Sequence, residues 1–576
     1  MKPYQSYLKK YWLPFSFAVL CVFGEAVCDL LQPTIMSHII DDGVATGSLQ
    51  IVWHLGGLML FVTGIGMCLA VIRNYVSSNV SQSFGADLRY DLYKKIMSLS
   101  LPSVDKIGSG SLITRITNDA SQLTQFIHGL MRIFVKAPLT CIGSIVLAIV
   151  LNPRLSLILF LAIIIVAIFI IVSMNLSYRR FSKVQYAMDG VNTTVQEYLM
   201  GIRLVKAFGM NKQEEARFEG VNDTLTQANI SAQRVNTVFS PLMSLSINVG
   251  IAAVIYIGSL MFPGKLVQVG QIIAFTNYMT QILGSLMQIT NMFNTFVRTR
   301  ASASRIEEIF AQQDTLSPIS DTTPKQCSGL SFEHVSFSYP ESGFLPALQE
   351  IHFQLERGQT LAVIGPTGSG KSTLVWLLLR FYDPQQGVIR LDGKDIRSME
   401  LSELRQKISV APQQSMLFSG TVSSNIQFGN GSATQKEMIE AASAAQAHEF
   451  ISQMPQQYES ILGQSGVNLS GGQKQRISIA RAALKEAEIL VLDDATSALD
   501  AVTDARVRQN LRHWKKGQTV LIITQRIGTA MGADRILVLD DGTMAGFGTH
   551  QELMETCETY RDIYHSQIGE EDVYHG

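Results

Sequence analysis

Long apolar runs separated by polar segments make up most of the first half of the chain. A helix needs roughly 20 apolar residues to cross the hydrocarbon core of a membrane, so each run predicts a membrane-spanning helix. The six candidate spans are residues 11–40, 51–72, 134–151, 155–173, 235–262 and 266–297. This pattern predicts an all-α membrane domain with six helices.

The charges between the spans indicate which side of the membrane each connection faces. Two connections, residues 73–132 and 177–234, are long, polar and compatible with helix, whereas the other three are short turns. The long connections carry most of the basic residues, among them Arg89, Lys94, Lys95, Lys106, Arg179, Arg180 and Lys183. By the positive-inside rule these connections, the N-terminus and everything after Arg298 are cytoplasmic. We therefore expect a multi-pass protein of the cell membrane.

The pattern changes after residue 310. Residues 311–328 are rich in Ser, Thr, Pro and Gln and have little apolar periodicity, which is typical of a linker. From there on, short β-type runs such as "TLAVIG" and "EILVLDD" alternate with helical patterns, which predicts an α/β domain with a largely parallel sheet. The predicted domains are a transmembrane domain (1–310), a linker (311–328) and an α/β domain (329–576).

The composition agrees with a lipid bilayer around the first domain and argues against nucleic acid as a partner. Apolar residues make up 47% of the 576 residues, which is high for a wholly soluble protein. Lys and Arg total 46 against 47 Asp and Glu, so no overall basic surface would attract nucleic acid. The six cysteines form no CxxC pair, and we interpret them as structural.

The stretch "GPTGSGKST" predicts a phosphate-binding loop. It follows the apolar strand "TLAVI" and precedes the helical "LVWLLLRFY", which is the context that a Walker A motif requires. In such a loop glycines turn backbone N–H groups toward phosphate, Lys371 reaches the β and γ oxygens of ATP, and the Ser372 hydroxyl binds Mg²⁺. The predicted residues are Gly365, Pro366, Thr367, Gly368, Ser369, Gly370, Lys371, Ser372 and Thr373.

Further segments resemble motifs of the ATP-binding cassette (ABC) transporter family. "APQQSMLF" at 411–418, "LSGGQKQR" at 469–476 and "SALD" at 497–500 stand in the order and approximate spacing of that family. "FSYP" matches its adenine-stacking segment, and "IIDDGV", "GSGSLITRITND" and "GIRLVKAF" look like an extracellular turn and two cytoplasmic coupling segments of its exporters. The resemblance implies a type IV exporter fold, in which a six-helix transmembrane domain is fused to an α/β P-loop cassette.

The resemblance also implies a half-transporter that works as a dimer. Cassettes of this family pair head to tail, so each ATP lies between the Walker A loop of one chain and the "LSGGQ" signature of the other. By resemblance Tyr339 stacks on adenine, while Gln413 and Asp493 join Ser372 at Mg²⁺. The residues that serve the neighbour's site are then Leu469, Ser470, Gly471, Gly472 and Gln473, with a D-loop of Ser497, Ala498, Leu499 and Asp500.

Two positions depart from the family pattern. In "ILVLDDATSALD" the buried strand ends in Asp493 and Asp494, whereas active members have Glu at the second position to polarise the attacking water. Gln525 replaces the switch histidine, and glutamine can hydrogen-bond a phosphate but cannot take up a proton near neutral pH. Because phosphoryl transfer depends on positioning, we expect this site to bind ATP and hydrolyse it weakly.

These departures indicate the degenerate-site subunit of a heterodimeric bacterial multidrug exporter. The alternatives are a homodimeric exporter in which Asp494 suffices, and an exporter of lipid or peptide. Soluble cassette ATPases are excluded by the fused spans, and importers are disfavoured because their membrane and nucleotide domains are usually separate chains.

Polar residues inside the spans are candidates for a substrate cavity. Glu25 and Asp29 lie one helical turn apart in the first span, and intramembrane carboxylates usually face a bundle interior or a watery cavity. One face of the last span carries Asn277, Gln281, Gln288 and Asn291. A cavity for amphiphilic and cationic small molecules is one interpretation, and hydrogen bonding between helices without substrate contact is the other.

Overall fold

The computed structural model describes residues 5–261, 267–312, 316, 328–339, 346–514 and 517–568. The chain divides into two compact units: Met1–Met97 with Gly108–Gln312, and Ser98–Ile107 with Gln313–Gly576. The unit boundary therefore differs from the predicted one, because Ser98–Ile107 belongs with the second unit rather than with the helices on either side of it. Most of the predicted linker lies outside the described residues.

The first unit is helical throughout its described residues. Its helices are α1 (Gln5–His38), α2 (Leu49–Ser98), α4 (Ser109–Thr114), α5 (Ala120–Gly129), α6 (Val135–Leu151), α7 (Pro153–Phe208), α8 (Asn211–Met261) and α9 (Val269–Ala311), with α3 (Leu101–Ile107) in the second unit. Turns of π-helix at Ile39–Val44, Arg115–Asp119 and Leu130–Phe134 join neighbouring segments.

The long helices extend well past the apolar runs, so the two long connections are helical as expected. At 1.5 Å per residue the 56 residues of α7 span roughly 80 Å. The helix begins where the Asn152 side chain accepts hydrogen bonds from the backbone of Arg154 and Leu155, with Pro153 in the first turn. It ends at Gly209, whose φ of 67° is the left-handed conformation that terminates helices.

The count of apolar spans differs from the prediction. Among the described residues five stretches are long and apolar enough to cross a membrane: Lys9–Val44, Leu49–Ser98, Ser109–Leu151, Pro153–Phe208 and Asn211–Met261. The sixth predicted span corresponds to α9, which is a long helix but falls short in apolar character because of its amide and hydroxyl side chains. It packs against α1, α5, α6 and α8 and buries Phe275 and Tyr278 completely, so protein rather than lipid surrounds much of it.

One predicted coupling segment is bonded within the first unit. Residues 109–118 form α4 and the following π-helical turn, where Arg115 donates a hydrogen bond to the Arg305 carbonyl at 2.8 Å and pairs with Glu308 at 2.8 Å. The segment that belongs to the cassette unit is the preceding Ser98–Ile107, in which Asp105 accepts a hydrogen bond from the Tyr382 hydroxyl at 2.6 Å. Docking of the predicted coupling segments on the cassettes stays a prediction.

The second unit contains three sheets. Its strands are β1 (Leu330–Phe337), β2 (Leu348–Leu355), β3 (Thr360–Ile364), β4 (Gln386–Leu391), β5 (Lys394–Asp395), β6 (Ile408–Ala411), β7 (Gly420–Thr421), β8 (Ile461–Leu462), β9 (Ile489–Asp493), β10 (Thr519–Ile523), β11 (Arg535–Asp540) and β12 (Thr543–Gly548). Its further helices are α10 (Lys371–Leu378), α11 (Leu401–Lys407), α12 (Val422–Gln427), α13 (Gln435–Ala444), α14 (His448–Ser452), α15 (Gly471–Leu484), α16 (Ala501–Trp514), α17 (Ile527–Ala530), α18 (His550–Thr556) and α19 (Glu558–Ile568).

The six-stranded sheet determines where the motifs lie. Its strand order is β12-β11-β3-β10-β9-β6, and all neighbours are parallel except β11 and β12. Every residue of β3, β9 and β10 is buried, as expected for strands covered on both faces. Because β3, β10, β9 and β6 run the same way, the segments after them meet at one edge of the sheet.

Candidate nucleotide-binding site

A cavity of about 300 Å³ lies at that edge of the sheet. It brings together segments between Tyr339 and Gln525, namely those at the ends of β1, β3, β6, β9 and β10, and Ala347 before β2. The lining residues are Tyr339, Ala347, Thr367, Gly368, Gly370, Lys371, Ser372, Thr373, Gln413, Asp493, Asp494, Ile523 and Gln525. Most of the predicted nucleotide site is therefore gathered around one space.

The Walker A loop is shaped by glycines and organised around Lys371. Gly368 and Gly370 have φ values of 88° and 92°, which side chains other than glycine rarely adopt. The buried Lys371 ammonium donates to the carbonyls of Gly365 at 2.9 Å and Pro366 at 2.6 Å, and to the Ser369 hydroxyl at 3.3 Å. Burial lowers the pKa of Lys371, although the charges of Asp494 and Asp493 act in the opposite direction.

The two carboxylates at the end of β9, Asp493 in its last position and Asp494 directly after it, have different neighbours. Asp493 is only 6% exposed and accepts a hydrogen bond from the Ser372 hydroxyl at 3.2 Å. Asp494 has a left-handed backbone, with φ of 47°, and accepts from the Gln413 amide at 3.4 Å. Burial raises the pKa of both carboxyl groups. A cation beside them would relieve that cost.

The donor set of this corner fits Mg²⁺. A hydroxyl, carboxylates and an amide oxygen are hard oxygen ligands, and Mg²⁺ is usually held by one or two carboxylates together with phosphates and water. Among the described residues no group of three or more His, Cys, Asp or Glu could hold a metal. Ser372, Asp493 and Gln413 are the residues that would hold the ion.

The aromatic residue in the cavity lining, Tyr339, is held by neighbouring rings. Tyr339 packs edge-on against Phe337, Tyr382 and Trp376 with centroid distances of 4.9, 5.5 and 6.1 Å. Its hydroxyl lies 3.0 Å from the Thr373 hydroxyl of the Walker A segment. Burial raises the pKa of Tyr339, so the ring stays neutral at physiological pH. The ring is therefore held at the cavity by both packing and a hydrogen bond.

The signature lies outside this cavity. None of residues 469–473 is among the described residues that line it. Ser470 caps α15, since its hydroxyl accepts from the Gln473 N–H at 3.3 Å while the Gln473 side chain accepts from the Ser470 N–H at 2.9 Å. A Cβ on Gly472 would lie 3.1 Å from the Ala498 carbonyl, so glycine permits the close approach of the D-loop. Within one chain, Walker A and signature are thus separate surfaces.

The D-loop is fixed by residues that motif reading overlooked. The Gln475 amide donates to the Ser497 hydroxyl at 3.0 Å and accepts from the Ala498 N–H at 2.9 Å. The Arg526 guanidinium donates to the carbonyls of Ser497 at 2.9 Å and Leu499 at 3.0 Å. Gln475 lies within the quoted "LSGGQKQR" and Arg526 follows Gln525, so their positions were visible although their contacts were not.

Asp500 has a local role in the described fold. Its carboxylate accepts from the Thr503 N–H at 2.9 Å and from the Thr503 hydroxyl at 2.7 Å, at the start of α16. These hydrogen bonds hold the pKa of the exposed Asp500 below its usual value. The side chain therefore fixes the turn that ends the D-loop.

The membrane acids are paired with basic residues of the same chain. Glu25, only 6% exposed, accepts from the Lys136 ammonium at 2.6 Å and lies 3.2 Å from the Arg73 guanidinium. Asp29 is 2.8 Å from the same ammonium. Lys136 lies inside the third predicted span and Arg73 directly follows the second, but neither was assigned to the acids. The cluster ties α1 to α2 and α6.

The polar face of α9 divides into two groups. The Gln281 side chain accepts from the Ser144 hydroxyl at 3.1 Å and donates to the Asp29 carbonyl at 3.4 Å, so it joins helices. The other three predicted residues, Asn277, Gln288 and Asn291, are exposed. Only these three have side chains directed away from the bundle, and substrate contact by any of the set remains a prediction.

Comparison with known proteins identifies the family. A family model described as ABC transporter transmembrane region matches residues 15–286, and a second, described as ABC transporter, matches residues 348–497. The ABC transporter ATP-binding protein YfiB of Bacillus subtilis is 38% identical over 566 residues, covering 98% of both chains. The chain belongs to the ABC transporter family.

Other relatives of this ABC transporter have more specific names. The probable multidrug resistance ABC transporter protein YheI of Bacillus subtilis is 31% identical and is matched over 96% of its length by 97% of this chain. The ATP-dependent lipid A-core flippase of Syntrophus aciditrophicus is 32% identical over 97% of this chain and 93% of its own.

A solved structure supports the fold. The structure of a bacterial Atm1-family ABC exporter with ATP bound has a TM-score of 0.80 and 24% identity, and the match covers 96% of this chain and 98% of that one. The predicted fold class, a helical transmembrane domain with an α/β nucleotide-binding cassette, is confirmed.

Proposed function

We propose that this ABC transporter is one half of a heterodimeric bacterial exporter, with an ATP site of its own that hydrolyses weakly. The observation that carries the proposal is that Asp494 and Gln525 line the same cavity as Lys371 and Ser372. Both departures from the family pattern thus fall where ATP would be hydrolysed, and neither can be explained as a distant surface change.

The shorter side chain of Asp494 is the main reason to expect weak hydrolysis. Aspartate ends about 1.5 Å short of glutamate, and a misplacement of about 1 Å can reduce a rate by about 10²-fold. The Gln413 contact at 3.4 Å turns the carboxylate toward the magnesium ligands. Gln525 supplies a hydrogen-bonding amide but no group that titrates near pH 7.

ATP and Mg²⁺ are the ligands that we assign to this cavity. Lys371 and the Walker A backbone would hold the phosphates, Ser372, Asp493 and Gln413 the metal, and Tyr339 the adenine. Mg²⁺, when bound, would offset the charge of the phosphates and of the buried carboxylates. The capped and intact 469–473 signature would complete the competent site of a neighbouring half-transporter.

For the substrate we propose amphiphilic small molecules that leave the cytoplasm across the cell membrane. Support comes from the name of the YheI relative, a probable multidrug resistance transporter, and from the exposed α9 face of Asn277, Gln288 and Asn291 beside the exposed Met287. Mixed amide and thioether surfaces adapt to ligands of varied shape. Lipid is a second candidate, because another relative is named a lipid A-core flippase.

ATP turnover by the purified full-length chain tests the heterodimer. We expect hydrolysis near background for the chain alone, and a gain of about 10²-fold in the double variant Asp494→Glu with Gln525→His, because both catalytic groups are then restored. Adding Lys371→Ala to the double variant is the control and should remove the gain. Steady magnesium-dependent turnover by the unaltered chain would instead establish a homodimer in which Asp494 suffices.

A further inference from the structure

The last described helix of the cassette, α19, presents a stripe of side chains to the rest of the domain. Tyr560, Ile563, Tyr564, Gln567 and Ile568 follow the spacing of one helical face. Tyr560 is fully buried, its hydroxyl lies 2.8 Å from His550 Nδ1, and Ile563, Tyr564 and Ile568 pack against the same apolar cluster. Gln567 is the one amide in this otherwise apolar and aromatic stripe.

The Gln567 amide makes two hydrogen bonds to the backbone of residues 525–527, which we call the switch segment. Its nitrogen donates to the Gln525 carbonyl at 2.6 Å, and its oxygen accepts from the Ile527 N–H at 2.8 Å. Ile527 is the first residue of α17, where the N–H has no partner within the helix. Arg526, at the capping position, makes no side-chain cap of its own. Gln567 therefore caps α17 from 40 residues away in sequence.

Between the two bonded backbone groups lies Arg526, which reaches the D-loop. Its guanidinium donates to the carbonyls of Ser497 and Leu499, and its N–H donates to the Thr524 hydroxyl at 3.0 Å. Gln525 on one side lines the ATP cavity. The single amide of Gln567 thus fixes the backbone that carries one cavity residue and one D-loop contact.

We propose that Gln567 is a positioning residue for ATP hydrolysis, through which α19 holds both the switch segment and the D-loop in place. The amide supplies a donor and an acceptor on one planar group at neutral pH, whereas a carboxylate accepts without donating and an aliphatic chain does neither. The inference goes beyond the heterodimer proposed above, because it holds whether a different chain or a second copy completes the dimer.

Hydrogen exchange of the full-length chain in detergent measures the cap directly, independently of any activity. In Gln567→Leu, which keeps the size of the side chain, the Ile527 amide should exchange about tenfold faster, as expected for the loss of one hydrogen bond. The matched control is Gln518→Leu. It removes a side-chain amide that donates to the Ala487 carbonyl at 2.7 Å, and this amide does not line the ATP cavity. It should leave exchange at Ile527 unchanged.

Basal ATP turnover of the assembled dimer supplies the second readout. Gln567→Leu should lower kcat about tenfold with little change in the KM for ATP, since D-loop geometry changes while the phosphate loop does not. At about pH 7.5 Gln567→Glu keeps an acceptor for the Ile527 N–H but has no donor for the Gln525 carbonyl, so its kcat should lie between those of the parent protein and Gln567→Leu.

Three results would overturn the proposal: unchanged exchange at Ile527 in Gln567→Leu, parental kcat in Gln567→Glu at about pH 7.5, or the same kcat loss in Gln518→Leu. If Gln567→Leu fails to fold, Gln567→Ala carries the exchange measurement and Gln567→Glu carries the turnover measurement. Failure of the heterodimer proposal would appear as turnover by the chain alone and would leave the exchange result unaffected.

Discussion

Two pairs of carboxylates, one in the cassette and one in the membrane helices, are compensated in different ways. Glu25 and Asp29 have Lys136 between them and Arg73 on the other side of Glu25, so the cations are part of the chain. Asp493 and Asp494 are contacted by a hydroxyl and an amide, both neutral. The nearby Lys371 ammonium is bonded to loop carbonyls instead.

This difference in charge compensation indicates which of the two carboxylate pairs needs a ligand. Burying a carboxylate costs free energy unless a positive charge or several hydrogen bonds compensate it. The membrane pair has its compensation built in, which suits a structural tie between helices. The cassette pair has a raised pKa because of burial, which the neutral hydrogen-bond partners and the charges of Lys371 and Arg526 offset only in part, so a metal ion would stabilise its charged form. The pair with incomplete compensation is the one to assign to chemistry.

The largest effect should come from the signature rather than from the second cassette acid. Ser470→Arg removes the capping hydroxyl of α15 and places a bulky cation where the neighbour's ATP would approach, so turnover of the assembled transporter should fall about 10³-fold. Asp494→Asn should reduce it less than about tenfold, because Asp494 already serves a weak site. ATPase assays of the assembled transporter make the comparison. Equal losses would contradict the asymmetric assignment.

The next effect concerns the membrane pair. Glu25→Gln removes the negative charge that pairs with both Arg73 and Lys136. Breaking a buried ion pair in this way typically lowers the free energy of unfolding by about 3 kcal/mol. Thermal unfolding of the protein in detergent should show a clear fall in Tm. Gln281→Leu, which removes hydrogen bonds between α9 and the helices α6 and α1 without changing charge, is the control and should shift Tm less. If Glu25→Gln had the Tm of the parent protein, the ion pairs of Glu25 would not stabilise the contacts between these helices.

The third prediction tests whether the cassette pair, unlike the membrane pair, binds a metal, and it uses the substitution Asp493→Asn. Removal of this carboxylate should weaken magnesium-dependent ATP binding about 30-fold, since an amide oxygen is a poorer ligand for a hard divalent cation. Binding in the presence of EDTA should change little. Trp376, 6.1 Å from Tyr339, offers a fluorescence signal near the cavity. Unchanged magnesium affinity in Asp493→Asn would contradict the assignment of Asp493 as a ligand of the metal.

Sequence reasoning located the cassette motifs well because each is local. The Walker A loop, the acids after β9 and the residue after β10 all follow fully buried strands, and a parallel sheet necessarily brings such ends together. Their mutual distances depended on the strand order, which the sequence does not reveal.

Contacts between distant residues were not predictable in the same way. Lys136 and Glu25 are 111 residues apart, and Gln567 reaches back 40 residues to Ile527. Neither contact follows a helical or strand period, so no sequence pattern predicts it. The polar content of α9 was visible, but whether Gln281 faced Ser144 or a cavity depended on how the helices pack.

The smallest and most selective effect should come from Asp29. Its side chain is 36% exposed, against 8% for Glu25, and it shares the Lys136 ammonium rather than holding it alone. Asp29→Asn should therefore cost under about 1 kcal/mol in stability, as partly exposed ion pairs do. If this exposed edge of the cluster meets cationic substrates, transport of ethidium into vesicles should slow about threefold, while a neutral dye of similar size moves at the parental rate. The change is small because Lys136 already balances the local charge, so a cation gains little from Asp29 alone.

Asn277→Ala, on the exposed face of α9, is the matched control for loss of a polar contact without loss of charge, and it should affect both dyes alike. A uniform slowing in Asp29→Asn, or none, would place Asp29 with Glu25 as a purely structural acid.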